Sequence, residues 1–404
     1  MNLSIDQARE LILRIFRDHP TKNFAVRLWD GSEVRWQENP AFTLIFRDAD
    51  TLKRCFASRD LGVFGQSFID NTFDIEGDIY AALELGRYVR TVKLDLGEIL
   101  KFAVRLGLPK TRHTREDDVR DVQAHYDLSN DFYKLFLDTN MAYSCAYFGS
   151  PEMSLEEAQE RKLDLVCKKL RLKPGEKLLD VGCGWGALIL WAAKHYGVTA
   201  HGITLSQNQY DLAKARIAEA GLEDHVTVEM KHYLDLPQEA YDKISSVGMI
   251  EHVGISKYPE YFGALYRALK PGGLVLNHGI TVKQIGQNVG GNFIMTYVFP
   301  GAELDTISHT LVETEGAGFE ILDVEDLRPH YALTLREWMK RFTANKEKAA
   351  ALVPEKVMRT WQLYLPGCAL AFEEGTIAIH QTLAAKNDAQ GKNIAPLTRK
   401  DILI

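Results

Sequence analysis

Leu178–Leu188 reads LLDVGCGWGAL: an apolar run, an acid, glycines at 182, 184 and 186, then a return to helix-forming residues. A buried strand that runs through glycines into a helix presents bare backbone to a ligand, because glycine turns sharply and admits close approach. The pattern continues outward. Lys177–Val181 is the strand, and the helix after the loop runs to Tyr196 with Gly197 as its stop. Then come strand Thr199–Thr204, helix Ser206–Ala220 closed by Gly221, and strands Val226–Met230 and Lys243–Met249. Helix Tyr258–Leu269 ends at Pro271-Gly272-Gly273, and Leu274–Ile280 is a fifth strand. This order predicts a doubly wound, Rossmann-like parallel α/β sheet, with Phe319–Val324 and Thr376–Gln381 as later edge strands.

A glycine loop of this kind suits a nucleoside-type cofactor. A dinucleotide site expects GxGxxG and an acid about 20 residues on, at the end of the second strand. Here the spacing is GxGxG, and the second strand ends Gly202-Ile203-Thr204 with no acid. A nicotinamide dehydrogenase is therefore disfavoured.

The chain has 404 residues, 46% of them apolar, enough for two or three domains. Its net charge of −7 argues against a general nucleic-acid binder. No apolar run approaches the roughly 18 residues that span a bilayer, and Met1–Phe16 reads as an amphipathic helix, not a signal peptide. Five scattered cysteines, with no CxxC pair, indicate neither a disulfide framework nor a zinc site and fit a reducing cytoplasm. Residues 1–110 are expected to form a small α+β domain, and residues 111–404 a catalytic one. In the first, a helix at Ser4–Asp18 precedes strands Phe24–Leu28, Glu33–Gln37 and Phe42–Phe46, with Asp30-Gly31 as a hairpin turn. Ile99–Arg115 carries Lys101, Arg105, Lys110, Arg112 and Arg115, no acid, and interleaved apolar residues. It is either a solvated linker helix or a patch that docks on anionic lipid, each cation then contributing about 1 kcal/mol.

LLDVGCGWG together with Pro271-Gly272-Gly273 before the fifth strand resembles the class I S-adenosylmethionine-dependent methyltransferases. Further segments sharpen the resemblance: HYDLSN at 125–130, YSCAY at 143–147, GITLS at 202–206, SVGMIEHVG at 246–254, and Tyr331–Phe342. Together they resemble the cyclopropane-fatty-acyl-phospholipid synthase family, which includes the mycolic acid cyclopropane synthases. The resemblance runs from about Val122 to the end. Residues before about 110 look like the N-terminal domain of the phospholipid-acting members.

The resemblance implies the chemistry. A cis double bond of an acyl chain attacks the sulfonium methyl, and a base then removes a proton from the resulting carbocation so that a ring closes. The family holds bicarbonate as that base. By motif match its cage is Cys145, Glu251, His278 and Tyr331 with the Ile280 backbone. Cys368 matches a cysteine sometimes given a catalytic role, but alkene chemistry needs no thiolate, which favours a structural role. Cofactor contacts fall on Tyr143 and Ser144 at the carboxylate end and on Asp180, Gly182 and Gly184 at the loop. Thr204, Leu205 and Gln209 would meet the ribose and adenine, with a further contact at His232 and Tyr233, where many relatives carry an acid. The partners implied are unsaturated phospholipid acyl chains and, peripherally, the inner face of an anionic membrane. A homodimer is compatible with the family, though no interface is legible.

Plainer readings stand beside these. Ser206 and Gln209 fit a helix capping box, as do Ser154 and Glu157 before a helix Leu155–Leu170. Trp185 reads as helix packing. Phe293–Phe299 (FIMTYVF) is either an acyl-tunnel wall or an ordinary apolar helix face. A lipid C-methyltransferase that makes methyl- or methylene-branched or furan-precursor chains shares every motif. A non-catalytic lipid-binding relic would have lost cage residues.

Overall fold

The computed structural model describes residues 3–58, 60–91, 128–284, 297–298 and 302–402. The basic stretch Ile99–Arg115, the start of HYDLSN and most of FIMTYVF lie outside the described residues. Two compact units emerge. Unit 1 holds the described residues of Met1–Tyr126 and Asn288–Pro300 together with Val353–Leu370, and unit 2 holds the rest.

Unit 1 begins with helix Ile5–Ile15, capped by a reciprocal Ser4–Gln7 box and burying Ala8, Leu11, Ile12 and Ile15 along one face. Strands β1 (Phe24–Arg27), β2 (Glu33–Arg35), β3 (Phe42–Phe46) and β4 (Phe73–Gly77) form a sheet in the order β2-β1-β3-β4. The Asp30-Gly31 turn joins β1 and β2 as an antiparallel hairpin, as expected, with Asp30 accepting from the Ser32 amide at 2.9 Å. β3 is buried at every position and paired on both sides, which explains its unbroken apolar run. Residues 353–370 return to this unit late in the chain. Arg359 reaches the Phe73 carbonyl at 3.1 Å and Asp74 at 3.0 Å, and lies 4.0 Å from the Phe68 ring centroid.

Unit 2 is built on β5 (Lys177–Val181), β6 (Thr199–Thr204), β7 (Val226–Met230), β8 (Tyr241–Val247), β9 (Leu269–Val282), β10 (Glu320–Asp326) and β11 (Ile377–Ala385). Their order is β10-β11-β9-β8-β5-β6-β7, with β5 to β9 all parallel. Successive β5 residues feed opposite faces: Leu178 packs with the helix Ala187–Tyr196, while Leu179 joins the cluster of Tyr261, Phe262 and Leu265. A strand covered on both faces is mainly apolar, as β5 is at Leu178, Leu179 and Val181.

One expectation fails. The strand from Ile377 is not an edge: it runs antiparallel between β9 and β10 and bonds to both. Of its nine residues seven are buried, and both its backbone edges are satisfied only in that interior place. Its neighbour β10 is the edge.

Candidate active site

Chain order reverses at β5 and β8, and the crevice past their carboxyl ends is where this architecture binds ligands. Both strands run out into glycines at positive φ, among them Gly184 at +54° and Gly248 at +67°. A Cβ added at either would meet nothing within 4 Å, so bare backbone there borders open space. The loop itself is tied down. Gly182 and Cys183 both donate to the Ile203 carbonyl at 3.0 Å, and buried Asp180 accepts from Ser245 on β8 at 2.7 Å. Burial raises the Asp180 carboxyl to about 6, against the pull of that hydroxyl and of Lys162. Asp180 thus braces β5 against β8 beneath the loop. Trp185 does more than pack: its indole N–H donates to Asn130, the last residue of the HYDLSN segment, at 2.7 Å.

At the ends of β6 and β7 an apolar rim remains exposed, formed by Leu205 (62% accessible), Met230 and Leu234. Buried Thr204 donates to Gln209 Oε1 at 2.8 Å and accepts from the Ser206 amide at 3.1 Å. The capping box of Ser206 and Gln209 is therefore only half formed. Ser206 caps the Gln209 amide, but Thr204 has taken the reciprocal arm. His232 caps the short turn Tyr233–Asp235, and its ring lies 4.2 Å from that of Tyr233.

The YSCAY segment has no regular secondary structure, so side chains must satisfy its backbone. Asp138 accepts from the amides of Asn140 and Ala142, and Gln159 donates to the carbonyls of Ala142 and Ser144. Thr334 accepts from the Ala146 amide at 3.0 Å, and His330 from that of Phe148 at 3.1 Å. Tyr143 packs on Tyr133 and Trp338, at centroid distances of 5.4 and 5.1 Å. Ser144 Oγ accepts from buried Lys162 at 2.8 Å.

The expected cage residues come together through a short run of contacts. Cys145 Sγ lies 3.8 Å from the Leu327 carbonyl, which also takes the Tyr331 amide at the start of helix Arg328–Ala344. The Leu327 amide bonds to the Ile379 carbonyl on β11, and Ile379 pairs with Ile280 on β9. The Ile280 amide donates to Glu251 Oε1 at 2.6 Å, and His278 lies two residues back on the same face of β9. Ile280 therefore departs from its expected part: its N–H is engaged by Glu251 and is not offered to an ion. The tight turn Ile250–His252 presents Glu251 at that distance.

Three buried polar atoms of these residues and of Gln381 have no partner among the described residues: Glu251 Oε2, His278 Nε2 and Gln381 Oε1. Burial raises the Glu251 carboxyl to about 7. Burial, with the cations of Lys162 and Lys169, keeps His278 well below its usual range and so neutral. Gln381 on β11 donates its amide N–H to His278 Nδ1 at 3.1 Å, which leaves the ring proton on Nε2. His278 thus presents an open donor, and Glu251 an open carboxyl oxygen that can hold a proton near neutrality. Cys145 is a buried neutral thiol directed at backbone carbonyls. Cys368 belongs to unit 1, where burial raises its thiol to about 12, so it is no thiolate at neutral pH.

Sequence reading missed Gln159, Lys162 and Gln381. The first two carried a signal: in the helix Leu155–Lys169 they share the buried stripe of Leu155, Ala158 and Val166. Gln381 carried none, since one glutamine in an apolar strand looks like any other.

The sheet order and the glycine loop after β5 define the class, a class I S-adenosylmethionine-dependent methyltransferase. Residues 113–382 match the mycolic acid cyclopropane synthetase family, and the chain belongs to it. It is 43% identical over 383 residues to a probable fatty acid methyltransferase of Pseudomonas putida, covering 93% of this chain and 95% of that one. The cyclopropane synthase MmaA2 from Mycobacterium tuberculosis has a solved structure with a TM-score of 0.62 at 37% identity, covering 69% of this chain and 100% of that one. Mycolic acid cyclopropane synthase CmaA1, solved with SAH and CTAB, also gives 0.62, at 38% identity over 68% of this chain and 99% of that one.

Proposed function

We propose that this enzyme transfers a methylene group from S-adenosylmethionine to the cis double bond of unsaturated phospholipid acyl chains, through a carbocation deprotonated by bound bicarbonate. When bound, S-adenosylmethionine supplies an electrophilic methyl group and bicarbonate supplies the base. The open backbone at Gly184 and the rim of Leu205, Met230 and Leu234 suit a nucleoside with an apolar base face. His278 Nε2 and Glu251 Oε2 carry the rest of the reading, because a small ion that both accepts and donates would satisfy both atoms. A carboxyl that ionises near 7 can share a proton with such an ion, where a full carboxylate would repel it. Tyr331, with Trp338 and Phe372 around it, supplies the water-poor wall that a cation on a chain requires.

Mass spectrometry of phospholipids from cells expressing the protein tests this. Acyl chains should gain one CH₂ and lose one double bond. Unchanged lipids alongside folded, cofactor-binding protein would contradict it. One observation favours a second reading, transfer of methyl without ring closure: the near-full-length Pseudomonas relative is described as a fatty acid methyltransferase. Cyclopropyl protons in the product NMR spectrum select the first reading, and a branched methyl or methylene signal selects the second.

Access to phospholipid implies peripheral work at the inner membrane face. Among the described residues no helix is long and apolar enough to cross a membrane. Residues 1–110 and the cations Lys101, Arg105, Lys110, Arg112 and Arg115 are assigned to that contact, and residues 111–404 to catalysis. Neutralising the five cations should weaken binding to anionic vesicles. Unaffected binding would move the contact elsewhere.

A further inference from the structure

Lys162 is a buried ammonium that the chemistry above leaves without a task. It projects from the helix Leu155–Lys169 and is 3% accessible. An ammonium has three protons, and a buried one is costly unless they find partners and its charge is balanced. Among the described residues Lys162 makes one side-chain hydrogen bond, to Ser144 Oγ at 2.8 Å, and no ion pair. Burial works against its charge, and Asp138 and Asp180 favour it electrostatically, but both carboxyls are committed elsewhere. Asp138 holds the amides of Asn140 and Ala142, and Asp180 holds the Ser245 hydroxyl. The site is built, buried and one anion short.

Ser144 gives the direction. Its oxygen accepts from Lys162, so its own O–H is left to donate. A hydroxyl polarised by an ammonium is a stronger donor than a hydroxyl alone. Gln159, one turn back on the same helix, donates to the Ser144 carbonyl at 2.9 Å and so holds the backbone that carries that hydroxyl. We propose that Lys162 is a positioning residue for the carboxylate of the cofactor's amino-acid end, acting through Ser144 as an ammonium-to-hydroxyl-to-carboxylate relay. The inference rests on the reading that the adjoining loop holds S-adenosylmethionine. It adds that recognition of the carboxylate is charge-assisted from beneath, by a residue that need not touch the ligand.

The test compares two ligands on the full-length protein by calorimetry. One is S-adenosylhomocysteine. The other is S-adenosyl-3-thiopropylamine, which keeps the adenosine, thioether and amine but lacks the carboxylate. Lys162→Met should weaken S-adenosylhomocysteine by about tenfold or more and change the amine analogue by less than about twofold. Equal losses for both ligands would mean a purely structural lysine and would overturn the proposal, as would no loss for either. If Lys162→Met does not fold, Ser144→Ala decides. It breaks the relay and keeps the lysine, so a loss confined to the carboxylate ligand that Lys162→Gln does not deepen supports the inference, and a further loss from Lys162→Gln overturns it. Wild-type protein that binds neither ligand would overturn the cofactor reading itself, and this inference with it.

Discussion

The glycine loop and the Glu251 turn follow the carboxyl ends of two adjacent parallel strands, β5 and β8, and they are made of different material. At 178–188 the backbone does the work: positive φ angles, open space at Gly184 and amides tied to Ile203. Around Glu251 side chains do it, from β9, β11, the helix Arg328–Ala344 and the irregular segment at 142–148. A backbone site needs only glycine at the right spacing. A side-chain site needs several distant segments to arrive together, and it gains titratable groups that the loop's glycines cannot offer. Binding and chemistry should therefore fail separately.

The largest separation is in pH. Folded Glu251 keeps its proton to about 7, against 4.5 when unperturbed, so the folded state binds more proton between those values. Stability falls as pH rises through that window, and Glu251→Gln removes the loss. From about pH 4 to pH 8, unfolding free energies should shift by about 3 kcal/mol in the variant's favour, read by urea denaturation. A constant difference would mean that Glu251 is ionised like any surface acid.

Next, Gly184→Val should cost the loop its ligand. It forces a β-branched residue to +54° and fills the open space, so S-adenosylhomocysteine affinity should fall about 100-fold by calorimetry, alongside a strain cost of about 1–3 kcal/mol in denaturant titration. Gln159→Leu attacks the other region. It frees the carbonyls of Ala142 and Ser144 and should cost about 2 kcal/mol in denaturant titration. The smallest effect belongs to Cys368→Ala. A buried neutral thiol is no nucleophile at neutral pH, so its loss should leave turnover within about twofold of wild type.

The same contrast explains what the sequence disclosed. The sheet from β5 to β9 was legible because buried strands and glycine-ended helices are local patterns. The place of β11 was not, since an apolar strand near the C-terminus fits an edge or an interior equally well until its two neighbours are known. Glu251, His278, Cys145 and Tyr331 were found through family resemblance, not spacing. The structure then changed one detail, committing the Ile280 amide to Glu251. Gln381 escaped because its meaning lies in a pairing with His278 across 103 residues of chain. Lys162 was findable, as a cation on a helix's buried stripe, but looked like one more charge in LEEAQERKLDL.

The central claim, that the loop binds and the cage reacts, is tested most directly by Glu251→Gln. Purified wild type and variant would be given S-adenosylmethionine and vesicles of an unsaturated phospholipid, with lipid mass and S-adenosylhomocysteine affinity measured on the same preparations. The account predicts one CH₂ added by wild type, none by the variant, and affinities within about twofold of each other. A variant that still modifies the lipid, or one that loses the ligand along with the activity, would contradict it.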